Sequence, residues 1–130
     1  MNRRGKAVAA RARAMIGVYF RPQGRTRQTG LDCIGLVAAA LKMEGVRADY
    51  RLRGGSADEL GRALVAAGLR RVPLAREGDV LVMRAGPEQL HLGVVTELGF
   101  VHAHAGIGHV VETPGEPEWP VIGIWRMRSR

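Results

Sequence analysis

Apolar residues recur along this chain with two different periods, and the change from one to the other falls near its middle. In the first half Val8, Ala12, Met15, Ile16 and Tyr19 fall close to one helical face. Ile34, Val37, Ala38 and Leu41 follow the i, i+3, i+4, i+7 spacing of a second helix. A third begins after Ser56-Ala-Asp-Glu59, where a hydroxyl three residues before a glutamate reads as a capping box. Its stripe is Leu60, Ala63, Leu64 and Ala67, and Gly45 and Gly68 stand where helix C-caps are expected. The second half holds short runs rich in Val and Ile: Asp79–Met83, His91–Val95, Gly99–Ala103, His109–Glu112 and Val121–Arg126. Gly86-Pro87, Gly99, Gly106, Pro114-Gly115 and Pro120 separate them, so the pattern predicts an antiparallel sheet of about five strands. Helices that precede strands, rather than alternate with them, imply an α+β fold.

The 130 residues fit one domain, residues 1–130, with no internal repeat and no linker long enough to divide it. Aromatic residues are only 5% of the chain, so the core must be built from Val, Leu, Ile and Ala. No run approaches 18 apolar residues, so no membrane span is expected, and Met1–Phe20 lacks the continuous apolar stretch of a secretion signal. Synthesis in the cytoplasm is therefore expected, with some other exit route for any action outside it. The 20 Lys and Arg outnumber the 12 Asp and Glu, a net charge of +8. The excess gathers at Arg3, Arg4, Lys6, Arg11 and Arg13, at Arg21, Arg25 and Arg27, and at Arg126, Arg128 and Arg130. Such a surplus favours anionic partners, including the acidic polymer of a bacterial cell wall. No helix-turn-helix, zinc-finger or aromatic RNA-binding signature accompanies it, so no specific nucleic-acid partner is expected.

The single cysteine, Cys33, excludes an internal disulfide and a cysteine-rich metal site. It is either an inert core thiol or a nucleophile, and its setting in Thr29-Gly-Leu-Asp-Cys-Ile-Gly-Leu-Val37 bears on the choice. Asp32 is a good N-cap and places Cys33 in the first turn of a helix. Backbone amides and the dipole at that end favour a thiolate, and the same donors could hold an oxyanion. Gly35 is expected to keep bulk away from the sulfur. A thiol nucleophile needs a base, and the four histidines, His91, His102, His104 and His109, all lie in the strand half. Alternation places His102 and His104 on one face with Phe100, and a hairpin would bring His91 beside His102. Three imidazoles, His91, His102 and His104, could instead bind zinc, though no carboxylate is supplied beside them as a general base.

Taken in order, these segments resemble the NlpC family of papain-like cysteine peptidases. Phe20 to Val37 is similar to its nucleophile segment, in which a Tyr-x-x-Gly-Gly stretch precedes Asp-Cys-Ser-Gly-Leu-Val. Glu77-Gly-Asp-Val-Leu-Val82 resembles a Pro-Gly-Asp-Leu-Leu-Phe strand, His91-Leu-Gly-Val-Val95 a His-Val-Gly-Ile-Tyr strand, and Phe100-Val-His-Ala103 a Phe-Ile-His-Ala strand. The spacing agrees too, with 58 positions from Cys33 to His91 and 11 more to His102. The resemblance implies a papain-like α+β fold with Cys33 as nucleophile, His91 as base and His102 as the residue that orients it. It implies that Asp32 helps to shape the oxyanion site and a substrate amine pocket. Phe20 stands where the family has a tyrosine thought to contact substrate, Arg25 replaces its second glycine, and Ile34 replaces its serine.

The implied reaction is hydrolysis of an amide in peptidoglycan stem peptides, at the D-γ-glutamyl–diaminopimelate bond, with no cofactor and no metal. The form Gly-Leu-Asp-Cys-Ile-Gly-Leu-Val in a short chain is most similar to peptidases carried in phage tails and gene transfer agents. That resemblance implies neighbouring tail-tip proteins as partners and action on the wall from a virion-like particle. Two other readings stay open: a structural tail-tip subunit with little activity, and an amidase or acyltransferase that uses the same Cys–His pair.

Overall fold

The computed structural model describes residues 3–43 and 56–128. Among the described residues three helices, α1 (Arg3–Arg13), α2 (Cys33–Ala40) and α3 (Ala57–Ala66), accompany eight strands. A short hairpin, β1 (Arg25–Thr26) and β2 (Gly30–Leu31), lies between α1 and α2. The main sheet holds β3 (Leu69–Arg71), β4 (Val80–Gly86), β5 (Gln89–Val95), β6 (Gly99–His104), β7 (His109–Pro114) and β8 (Val121–Met127). Their order is β3-β8-β4-β5-β6-β7, and every pairing is antiparallel. This is the expected α+β architecture with helices ahead of an antiparallel sheet.

The sheet has six strands where five were expected. The additional strand, β3, presents one buried residue, Leu69, between α3 and two exposed arginines. One apolar position gives no alternation to read; β3 is held by its pairing with Leu69↔Met127 through Arg71↔Trp125 on β8. The first helix is shorter than its apolar stripe suggests. Helical structure stops at Arg13, and Gly17 takes φ +92 while its amide donates to the Val110 carbonyl. The chain then runs beside β7, with Tyr19 bridged to His109 and left largely exposed, so Ile16 and Tyr19 are not core residues. Ser56 accepts from the Glu59 amide at 3.0 Å as the capping box requires, and Gly68 follows the C-cap of α3 with φ +99. The expected C-cap at Gly45 lies outside the described residues.

One apolar cluster joins helices and sheet. Val8 and Ala12 of α1, Leu36, Val37 and Ala40 of α2, and Leu60 and Leu64 of α3 meet Val80, Val82, Leu92, Val94, Val101 and Val110. Each such Leu or Val contributes about 1.5–3 kcal/mol by leaving water. The consequence for function is that α2, apolar on almost every side, is clamped between α1 and the sheet. Its first turn therefore has a fixed position against β5 and β6.

Those two strands are paired only at Val94↔Val101 and Val95↔Phe100. Beyond Val94 the ladder opens, although β5 stays in register with β4 from Val80↔Val94 to Arg84↔Leu90. His91 and His102 stand at this opening. At the other end of β4, Asp79 is buried and accepts from the Arg76 amide at 2.7 Å and from both Arg126 Nε and Nη2 at 2.8 Å. This paired carboxylate fixes where β4 and β8 begin and end relative to one another.

Candidate active site

The hairpin β1–β2 delivers the chain into α2 at Asp32, whose extended backbone (φ −95, ψ −173) and side chain make it the N-cap. Asp32 Oδ1 accepts from the Gly35 amide at 2.8 Å, so Cys33 is the first residue of the helix. Gly35 has a packing role rather than the expected one of sparing the sulfur. A β-carbon there would overlap the Gly24 carbonyl oxygen, so its absence lets the β1 hairpin lie directly on α2.

Asp32 is held from the hairpin side as well. Its Oδ2 accepts from the Gln23 amide at 3.0 Å, and its Oδ1 accepts from Arg25 Nη1 at 2.7 Å. The Cys33 thiol is buried at the floor of a cavity of about 540 Å³, lined also by Phe20, Pro22, Gln23, Gln89, His91 and His104, with Trp119 over it.

His91 Nε2 and His102 Nδ1 are 2.8 Å apart, and His102 Nε2 is 2.8 Å from Thr113 Oγ1. One tautomer pair satisfies this chain with a proton on each Nε2: His91 donates to His102, and His102 donates to the Thr113 hydroxyl. His91 Nδ1 is then the unprotonated nitrogen available to accept the thiol proton. Thr113 lies opposite Phe100 on β7 and diagonal to His102 on the same face, which is why its hydroxyl reaches the ring. Trp119 stacks edge-on against His91, with centroids 5.2 Å apart and planes at 77°, and lies 5.9 Å from the His102 ring.

The structure thus brings Asp32, Cys33 and His91 to one cavity with Phe20 at its wall, while His102 is buried outside the lining and joined to it through the His91 ring. His104 also lines the cavity; its Nδ1 accepts from the Ile107 amide at 3.0 Å. His109 lies across from His104 on β7 and turns its Nδ1 to the Val110 carbonyl, away from the cavity walls. Among the described residues no three His, Cys, Asp or Glu side chains converge as metal ligands. Thr113 and Trp119 carry no motif in the sequence; their parts follow from the β6–β7 register and from the path of the chain before β8.

The electrostatics reverse one expectation. Burial pushes the Cys33 thiol up from 9.0 to about 12, and the Asp32 charge adds to this; only the Leu92 and Cys33 amides and Arg25 pull the other way. A helix N-terminus is worth roughly 0.3–1 kcal/mol, less than one pK unit, so removal from water wins. The resting site therefore holds a neutral thiol. Burial also pushes His91 down to about 3, with His102 and His104 adding to the effect, and His102 down to about 4. Both rings are neutral near pH 7. A thiolate and an imidazolium formed together in this cavity would stabilise one another, which neither charge alone could do there.

Two predictions arise here. The depressed histidines bind fewer protons in the folded protein than in the unfolded chain between pH 6.5 and about 3. Their contribution to stability is complete above pH 6.5 and is lost as pH falls through that window, at up to about 1.4 kcal/mol per pH unit for each ring. Urea unfolding followed from pH 7 to pH 4 should show this slope, and His102→Gln should flatten it. Secondly, Thr113→Val leaves the buried His102 Nε2–H without an acceptor, so His91 loses its fixed orientation. Alkylation of Cys33 by iodoacetamide near pH 7 is expected to slow about tenfold, and Thr113→Ser should restore it.

The fold around this cavity is that of NlpC/p60 domains, the papain-like architecture of helices packed on an antiparallel sheet. The p60 domain of an antigen from Mycobacterium avium subspecies paratuberculosis superposes with a TM-score of 0.64 at 20% identity, over 98% of this chain and 97% of that one. The peptidoglycan hydrolase RipB of Mycobacterium tuberculosis gives a TM-score of 0.64 at 22% identity over 98% of this chain. This chain spans 66% of that RipB structure. The NlpC/p60 domain of the peptidoglycan hydrolase SagA gives 0.57 at 23% identity, over 85% of this chain and 88% of that one. No protein-family model and no curated protein sequence matches the chain.

Proposed function

We propose that this protein is a cysteine peptidase of the NlpC/p60 type that hydrolyses an amide bond in the stem peptides of bacterial peptidoglycan. The observation that carries the reading is the line Cys33, His91, His102, Thr113, in which a buried thiol shares a cavity with a hydrogen-bonded imidazole relay. The solved hydrolases of similar fold support the substrate class, and the net charge of +8 suits an acidic polymer.

In the proposed reaction His91 Nδ1 takes the Cys33 proton as the sulfur attacks the amide carbonyl. The Cys33 backbone amide, at the first position of α2, donates to the oxyanion. Collapse of the tetrahedral intermediate breaks the C–N bond, and His91 returns the proton to the departing amine. A thioester remains on Cys33. Water, deprotonated by His91, then attacks that carbonyl and releases the acid, and the thiol regains its proton. His102 and Thr113 keep the His91 ring turned so that Nδ1 serves the sulfur throughout. No cofactor takes part.

The finer reading is cleavage between D-γ-glutamate and diaminopimelate by a subunit of a phage-like tail tip, made in the cytoplasm and acting on the wall. The nucleophile segment's resemblance to tail and gene-transfer-agent peptidases supports the tail assignment. Mass spectrometry of digested diaminopimelate-type muropeptides tests the bond: a new amino group at diaminopimelate is expected. A freed lactyl group would assign the same Cys–His chemistry to an amidase instead.

A further inference from the structure

We infer that His104 is a substrate-binding residue whose Nε2–H donates to an oxygen of the bound peptide, a backbone carbonyl or a carboxylate. The inference deepens the hydrolase reading and rests on it. Three imidazoles stand together at this end of the sheet, with ring centroids 5.1 Å apart for His91 and His102 and 5.5 Å for His102 and His104. Two of them are engaged with one another and with Thr113. His104 stands outside that chain, although its ring lines the cavity together with Cys33 and His91.

The turn after β6 sets the tautomer of this ring. The Gly108 amide donates to the His104 carbonyl at 2.8 Å, and the Ile107 amide donates to His104 Nδ1 at 3.0 Å. A ring nitrogen that accepts a hydrogen bond carries no proton there, so the ring holds its proton on Nε2. Among the described residues no acceptor meets that N–H. A donor beside a binding cavity loses its water when substrate enters, and the substrate then has to supply the acceptor.

The ring is also held in place. A β-carbon at Gly106 would lie 3.0 Å from His104 Cε1 and 3.4 Å from Nδ1, so the bare glycine lets the imidazole rest against its own turn. Trp119, another residue of the lining, stands with its ring centroid 6.3 Å from that of His104. A donor fixed in this way gives up little freedom when it binds.

The test measures KM and kcat on L-alanyl-D-γ-glutamyl-diaminopimelate for wild type, His104→Asn and His104→Gln. The asparagine carbonyl takes the place of Nδ1 and keeps the Ile107 amide satisfied, but no donor then reaches the position of Nε2. Glutamine puts an amide N–H where Nε2–H stood and gives up the bond to Ile107. A hydrogen bond made equally in ground and transition states changes KM alone, so His104→Asn should raise KM about five- to tenfold and leave kcat in place. His104→Gln should keep KM within about twofold of wild type, even where its melting temperature falls. Gly106→Ala, which displaces the ring without changing its chemistry, should raise KM in the same sense as asparagine. The reverse order, with glutamine impaired and asparagine unaffected, would show that His104 only holds its turn and would overturn the inference. So would a KM unmoved in both variants, and either result leaves the hydrolase reading intact. The same comparison with lysine in place of diaminopimelate separates the acceptors. A penalty that disappears assigns the side-chain carboxylate that lysine lacks, and one that persists assigns an oxygen that both peptides carry. Cleavage of neither peptide by wild type would overturn the hydrolase reading and this one with it.

Discussion

Replacing His91 by glutamine is expected to slow hydrolysis on the order of a thousandfold or more, with the Cys33 thiol still in place. Burial holds the Cys33 thiol well above its ordinary value, so in the proposed mechanism the nucleophile is not preformed as thiolate. In the proposed mechanism the proton leaves during attack, and His91, whose ring lines the same cavity, is the base that takes it. Glutamine keeps a polar head of similar reach and can still meet His102, but it cannot accept a proton. Iodoacetamide gives a second measurement on the same protein. Alkylation of Cys33 near neutral pH should be slower in His91→Gln than in the wild type, because the base that assists ionisation is gone. Unchanged hydrolysis and unchanged alkylation would remove His91 from the mechanism.

Gly35→Ala is expected to damage the fold and the site together. The added β-carbon would overlap the Gly24 carbonyl oxygen and approach Leu31 Cδ2 at 3.1 Å. The main obstruction is backbone, so no change of rotamer relieves it. Either α2 or the β1 hairpin has to move, at a cost of about 1–3 kcal/mol or more. For a chain of this size that lowers the melting temperature by roughly 3–15 °C. Movement of the hairpin also draws Gln23 and Arg25 away from Asp32, so activity should fall further than the loss of folded protein explains. Thermal unfolding followed by circular dichroism checks the first part, and kcat/KM per folded molecule checks the second. A melting temperature equal to that of wild type would show that the hairpin is not seated on α2.

The elements carried by strong local patterns are the ones the sequence displays. Asp32 before Cys33 reads as a cap because a short carboxylate ahead of an apolar helix satisfies its first amides, and the structure has that bond. His91 and His102 could be paired on paper because a hairpin converts a spacing of 11 positions into adjacency across strands. Thr113 and Trp119 could not, since cross-strand register and the course of a proline-rich loop are settled by tertiary packing. Leu69-Arg-Arg71 lacks the alternation that would reveal a strand. Ile16 and Tyr19 continue a helical stripe that Gly17 ends. A helix N-terminus can be seen in a sequence and burial cannot; burial is the larger effect and holds the thiol up where the N-terminus alone would lower it.

Whether Cys33 hydrolyses wall peptides, as proposed, is decided by a paired digestion of purified diaminopimelate-type peptidoglycan by wild type and Cys33→Ala. Cys33 is buried in close packing, and alanine removes one sulfur atom, so the variant should stay folded. Amino groups should accumulate with wild type and stay at background with Cys33→Ala. Equal release by both proteins, or release by neither, would contradict it.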